Sequence, residues 1–314
     1  MGHFYQDSCH TTISPNCQST TMFASFLPSE VKHLKESTSI ALAQRSERQP
    51  IATPLSQQPI ATAYVYQGNG GTPILLLHGF DSSVLEFRHL LPLLSTHNET
   101  WAVDLLGFGF TDRVLGLPFD PPAIKTHLYN FWKTLIDQPV ILVGASMGGA
   151  TAIDFTLTYP DAVQKLVLIN SVGFTGSFPQ GRFLFPPFDY LAVEYWRQRK
   201  IQALFLGESG NLHPALVEAL RCATLHLAMP HWHAATIAFT KSGGYMDLAD
   251  KIARIDHPTL ILWGDADETL GIGDAVKFQQ AIAQSRLIWL KNCGHAPQLE
   301  QPQITAEHLL AFLA

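Results

Sequence analysis

Short, nearly unbroken apolar runs recur along the chain, each ending in glycine, asparagine, aspartate or a loop. They are PILLLH (73–78), WAVDLL (101–106), PVILVG (139–144), KLVLIN (165–170), PTLILWG (258–264) and SRLIWL (285–290). Runs without alternation are the pattern of strands covered on both faces. Between most of them lie stretches of a dozen or more residues with helical texture. Strand and helix in alternation predict a doubly wound, mostly parallel sheet with right-handed crossovers. Ahead of the first run, residues 60–66 (IATAYVY) alternate like a strand. Gly68-Asn69-Gly70-Gly71 then supplies the turn into PILLLH as a second strand.

The flanks carry weaker patterns. Residues 1–20 are polar, Ser/Thr-rich and without period, which predicts a disordered leader, with Met22 as an alternative start. Ser29 is placed to cap a helix carrying Val31, Leu34 and Leu42, and residues 46–59, with Pro50, Pro54 and Pro59, read as an extended connector. About ninety residues separate Asn170 from Pro258. This interval is rich in aromatics at first, among them Phe174, Phe178, Tyr195 and Trp196, and helical in texture later. An insertion there lies over the carboxyl ends of the strands, where open α/β sheets bind ligands. The expected division is therefore a leader, helix and connector over 1–59, a core over 60–174 and 249–314, and a helical lid over 175–248. No internal repeat is present.

Composition narrows the classes. Of 314 residues, 46% are hydrophobic and 15% charged, with a formal charge of −6. That balance gives no footprint for nucleic acid or for an anionic membrane. Cys9, Cys17, Cys222 and Cys293 form no CxxC pair and no dense framework, so the expected location is cytoplasmic. The N-terminus lacks the pattern of a secretory signal, and no apolar run approaches the ~18 residues of a spanning helix, so no stable membrane insertion is expected. No G-x-G-x-x-G fingerprint is found, so no cofactor is expected. His226, His231 and His233 lie close in sequence, but i, i+2 histidines on a helix diverge and no nearby carboxylate completes a ligand set; no metal is expected. The segment FLFPPFDY (183–190) is assigned to pocket or lid packing ahead of docking on a membrane or partner. Nothing fixes the oligomeric state.

The chemistry centres on Gly144-Ala145-Ser146-Met147-Gly148-Gly149, between PVILV and the helical stretch ATAIDFTLTYP. G-x-S-x-G at a strand-to-helix turn is a nucleophile elbow, with Gly144 and Gly148 small because the turn is tight. A neutral serine needs a base within hydrogen-bond reach. His295 lies just past the final strand, while His10, His33, His97, His127 and His257 are placed like surface or turn residues. No carboxylate follows KLVLIN, so the supporting acid comes from the cluster after PTLILWG: Asp267 first, Asp265 in reserve. The oxyanion donors are the backbone N–H groups of Met147 and of Phe80, in the loop His78-Gly79-Phe80-Asp81, which His78 braces.

Taken together, HGFD, DLLGFGFTDR, GASMGG, LILWGDADE and NCGHAPQLEQP resemble the α/β-hydrolase superfamily from about residue 60 to the end. The resemblance implies Ser146 as nucleophile, Asp267 as acid, His295 as base, Phe80 and Met147 as oxyanion positions, and a mostly structural loop from Asp104 to Asp112 around Gly107 and Gly109. Capped esterases, C–C bond hydrolases and pheophytinase-like hydrolases look nearest. Haloalkane dehalogenases and epoxide hydrolases carry aspartate where this chain has Ser146, and the HGGG of one lipase group is absent. The expected function is hydrolysis of a small hydrophobic carboxylic ester. The alternatives are C–C bond hydrolysis of a diketone-like substrate, or a ligand receptor on the same fold.

Overall fold

The computed structural model describes residues 22–314; the leader expected over 1–20, with Cys9, Cys17 and His10, lies outside the described residues. Eight strands form one sheet: β1 (Glu47–Thr53), β2 (Ser56–Gln67), β3 (Ile74–Leu77), β4 (Thr100–Val103), β5 (Val140–Ala145), β6 (Val163–Ile169), β7 (Thr259–Gly264) and β8 (Ser285–Leu290). Their order is β1-β2-β4-β3-β5-β6-β7-β8. Pairings from β4 through β8 are parallel, and only β1/β2 and β2/β4 are antiparallel. The helices are α1 (Ser37–Gln44), α2 (Leu90–Leu94), α3 (Pro121–Leu135), α4 (Met147–Thr158), α5 (Phe188–Leu206), α6 (Pro214–Leu225), α7 (Trp232–Ser242), α8 (Gly273–Ala281), α9 (Pro297–Glu300) and α10 (Pro302–Leu313). This is the α/β-hydrolase fold.

The unbroken apolar runs have a direct cause. Successive side chains of a strand point to opposite faces, and here both faces are covered. Leu75, Leu77, Leu166, Leu168, Ile261 and Trp263 enter one core, with α3, α4 and α8. Ile74, Leu76, Val167, Ile169, Leu260 and Leu262 enter the other, with α2 and α10. Each fully buried side chain of this size contributes about 1.5–3 kcal/mol, so these positions are held apolar. In the edge strand β8, by contrast, only Leu290 is buried, short of the double-sided cover expected of that run. Asp120 caps α3 by accepting the Ala123 N–H at 2.9 Å, ahead of Pro121 and Pro122 in the first turn.

Three expected elements differ. The connector over 46–59 is β1 plus the start of β2, paired from Glu47↔Tyr64 to Thr53↔Ser56. Pro50 hid it, and Pro50 is tolerated because β1 is an edge strand. The glycine turn does not join hydrogen-bonded neighbours, because β4 lies between β2 and β3. Instead the segment passes over the start of β4, where Glu99 N–H donates to Gly70 and Asn98 Nδ2 to Thr72. The helix expected from Ser29 is a 3-10 turn (Ser29–His33) and a separate α1. The chain breaks between them because the Glu218 carboxylate takes the N–H groups of Lys35 and Glu36.

His127 is also not a surface residue: on α3 it is 1% exposed, with Nε2 2.7 Å from Thr62 Oγ1. The Thr62 hydroxyl donates to Ile60 O, so it accepts from His127, which is neutral with its proton on Nε2. Burial pushes its pKa down to about 4. The unfolded chain then binds a proton below about 6.5 that the folded chain refuses, so this residue costs stability as pH falls from 6.5 to 4. We expect urea midpoints of wild type to drop more steeply across that window than those of His127→Gln, by up to about 3 kcal/mol in total. Parallel pH profiles would refute the assignment.

Candidate active site

Residues at the carboxyl ends of β3, β5, β6, β7 and β8 converge at one rim. Ser146 follows β5 and precedes α4 with φ 52° and ψ −118°, a backbone region that costs a non-glycine residue about 1–3 kcal/mol. The surrounding glycines make room for this turn. A Cβ on Gly144 would stand 2.2 Å from the Gly148 carbonyl oxygen, and one on Gly148 2.1 Å from that of Leu77. Gly149, to which the sequence assigned no role, is also crowded: its Cβ would meet the Ser171 side chain, with Oγ at 2.1 Å, where the other two glycines would meet backbone.

The three widely spaced residues meet. Ser146 Oγ lies 3.0 Å from His295 Nε2, and His295 Nδ1 lies 2.9 Å from Asp267 Oδ2. An ionised Asp267 only accepts, so Nδ1 carries the proton and Nε2 is free to take one from Ser146. Asp267 is fully buried, which on its own raises its pKa. Hydrogen bonds from His295, Asn170 and the Leu270 N–H outweigh that and hold it below the usual carboxylate range. Asp265 is not brought to His295: it accepts the Asn292 N–H and pairs with Lys291.

Asn170, at the end of β6, was missed. Its Nδ2 donates to Asp267 Oδ2 at 2.6 Å, and its Oδ1 accepts the Gly264 N–H. An asparagine closing a strand at this rim, in KLVLIN, was the available signal.

The residues carrying the two candidate oxyanion donors, Phe80 and Met147, line the same cavity. Met147 is the first residue of α4, so its N–H has no intrahelical acceptor. The Phe80 N–H has no acceptor among the described residues. His78 sits beneath this loop with Nδ1–H donating to the Gly79 carbonyl and Nε2 accepting the Leu105 N–H, and burial pushes its pKa down to about 4. Asp104 likewise ties the loop after β4, accepting the N–H groups of Val84 and Phe110.

Asp81 escaped the sequence reading. It is 2% exposed with φ 50°, and three segments between β6 and β7 converge on its carboxylate. Lys200 Nζ approaches at 2.6 Å and Trp196 Nε1 at 3.1 Å from α5, His226 Nε2 at 2.9 Å, and Trp232 Nε1 at 2.8 Å from α7. Burial alone would raise its pKa, but His226 and Lys200 hold it well below the usual range. The three histidines considered for a metal diverge: His226 goes to Asp81, His233 to Glu194, and His231 is exposed.

A cavity of about 570 Å³ opens on Ser146 and His295, walled largely by Phe80, Phe178, Trp196, Phe239, Val172 and Leu270. The phenylalanines of FLFPPFDY do not line it. Phe183, Phe185 and Phe188 are 82%, 60% and 55% exposed, a correction to the packing role expected of that segment. From the insertion, the aromatic lining is supplied by Phe178, Trp196, Phe239 and Tyr245.

Comparison with known proteins agrees with this fold. The chain matches the alpha/beta hydrolase family over residues 74–308 and belongs to it. It is 35% identical over 289 residues to the alpha/beta hydrolase domain-containing protein VTE7 of Arabidopsis thaliana, covering 90% of this chain and 87% of that one. It is 30% identical over 237 residues to a 2-hydroxy-6-oxo-2,4-heptadienoate hydrolase of Pseudomonas putida, covering 74% and 85% respectively. A thermophilic esterase from Thermogutta terrifontis superposes with a TM-score of 0.67 over 85% of this chain and 98% of its own, at 23% identity, a likeness of fold alone. The protein is therefore a hydrolase of this family. Among the described residues, no helix is long and apolar enough to cross a membrane.

Proposed function

We propose that the protein hydrolyses small hydrophobic carboxylic esters by acyl transfer through Ser146. The observation that carries this reading is the Ser146–His295–Asp267 chain of hydrogen bonds, at 3.0 and 2.9 Å, opening on an aromatic-walled cavity. Ser146 Oγ attacks the ester carbonyl while His295 Nε2 takes its proton. The N–H groups of Phe80 and Met147 hold the oxyanion, and the proton passes to the leaving alcohol. Water then repeats the cycle on the acyl-enzyme with His295 as base. Asp267 keeps the imidazole in the required tautomer. Residues 175–248 act as the lid over this cavity, and the free, buried Cys222 and Cys293 suit the reducing cytoplasm.

A panel of p-nitrophenyl esters of increasing acyl length tests the substrate class. We expect kcat/KM to rise with chain length until the cavity is filled; a consistent preference for short polar esters would refute the hydrophobic-ester reading. We also expect Asp267→Asn to lower kcat by about 10³–10⁴-fold with little change in KM, because the amide favours the wrong tautomer. An unchanged kcat would remove Asp267 from the mechanism.

C–C bond hydrolysis is the second reading, supported by the Pseudomonas putida relative named as a hydrolase of 2-hydroxy-6-oxo-2,4-heptadienoate, a diketone-like compound. The same serine and base would serve a diketone-like substrate. Assaying an ester and a vinylogous diketone side by side separates the two. Tight binding of either without turnover, and without labelling by a fluorophosphonate, would favour a receptor.

A further inference from the structure

One wall of the cavity is polar. Glu86, in the 3-10 turn Val84–Phe87, and Gln298, in α9 beyond His295, both line it together with Ser82. Glu86 Oε2 accepts the Gly79 N–H at 3.0 Å, and Oε1 accepts Gln298 Nε2 at 2.9 Å. A carboxylate offers about four acceptor sites, so these bonds leave capacity. Gln298 is 3% exposed, and its Oε1 has no partner among the described residues. Buried acceptors are ordinarily satisfied, and an unpartnered one in a side chain of the cavity wall leaves a bonding position for a donor that arrives with the ligand. The wall adjoins the nucleophile: from the place a Cβ would occupy on Gly79, Ser146 Cβ is 3.4 Å away and Glu86 Oε2 3.5 Å. Burial raises the Glu86 pKa.

We propose that Glu86 and Gln298 form an acceptor subsite for a hydroxyl group on the α or β carbon of the substrate's acyl part. This rests on the ester reading above. A purely hydrocarbon acyl chain would leave the Gln298 acceptor without a partner, which a hydroxyl avoids. An ammonium fits less well, because the imidazolium that forms on His295 during the reaction repels a second cation nearby. The substrate class is thus a hydroxyacyl ester with an apolar remainder against Phe80, Phe178 and Phe239.

The test uses Ser146→Ala, which binds without turnover. Calorimetry compares p-nitrophenyl octanoate with its 2-hydroxy and 3-hydroxy analogues. One hydroxy ester is expected to bind about ten- to a hundredfold more tightly than octanoate. Adding Glu86→Gln or Gln298→Leu is expected to remove most of that preference while leaving octanoate affinity within about twofold. Equal affinity for all three esters overturns the subsite, as does a preference that survives both substitutions. If both substitutions instead weaken all esters equally, Glu86 only braces the loops and the subsite is refuted. Because binding is read without chemistry, a hydroxyl preference in a protein whose wild type hydrolyses no ester would overturn the ester reading and leave the subsite standing.

Discussion

Ser146→Ala is expected to lower turnover of a p-nitrophenyl ester by on the order of 10⁴–10⁶-fold and to abolish fluorophosphonate labelling. The serine hydroxyl makes one hydrogen bond, to His295 Nε2, so its removal leaves no buried group unpaired. Alanine keeps the Cβ and hence the strained φ of 52°, so the unfolding temperature should stay within a few degrees of wild type. Ser146→Gly separates strain from chemistry. It should be equally inactive yet gain up to about 1–2 kcal/mol of stability, because glycine adopts positive φ without the steric cost. Turnover by Ser146→Ala above a tenth of wild type would end the serine mechanism. A glycine variant no more stable than the alanine one would show that the elbow stores no strain.

The strands that carry this chemistry were legible because their environment is uniform. β5, β6 and β7 are buried on both faces, so hydrophobicity alone marked them, and the chemistry-bearing residues follow where each run stops. Ser146, Asp267 and His295 stood out because each occupies a strand end in a short polar or glycine-rich segment. What stayed hidden depends on pairing between distant segments. β1 buries only Ile51 and carries Pro50, so its alternation is too weak to see without its partner. His127 looks like any polar residue on α3 until Thr62 of β2 is placed beneath it. Asp81 lies in HGFD and was visible, but its partners are spread from Trp196 to Trp232, and no local pattern links them to it. Exposure of Phe183, Phe185 and Phe188 likewise contradicts composition, because an apolar residue type does not say which way the chain turns it.

Asp81→Ala is expected to be the most destabilising single change at the rim, by about 3–5 kcal/mol, since it strips the partner from charged and polar groups that remain out of water. Lys200 would lose its ion pair with the carboxylate, though its Nζ also donates to the Asp81 carbonyl at 2.7 Å. His226, fully buried and with Nδ1 already unpartnered, would lose its remaining hydrogen bond. Trp232, 2% exposed, would lose the acceptor for its indole N–H. These donors come from segments flanking or forming α5, α6 and α7, so the carboxylate ties the insertion between β6 and β7 to the residue next to Phe80. Loosening that tie should displace the Phe80 N–H and lower kcat by about 10²–10³-fold, the usual effect of losing one oxyanion donor. Urea midpoints report the stability loss, tryptophan emission the freed Trp232, and kcat against KM the displaced donor. Adding Lys200→Met to Asp81→Ala should restore part of the stability, giving a coupling of about 1–3 kcal/mol in a double-mutant cycle. Strict additivity of the two changes, with the emission maximum unmoved, would show that Asp81 does not hold the insertion to the oxyanion loop.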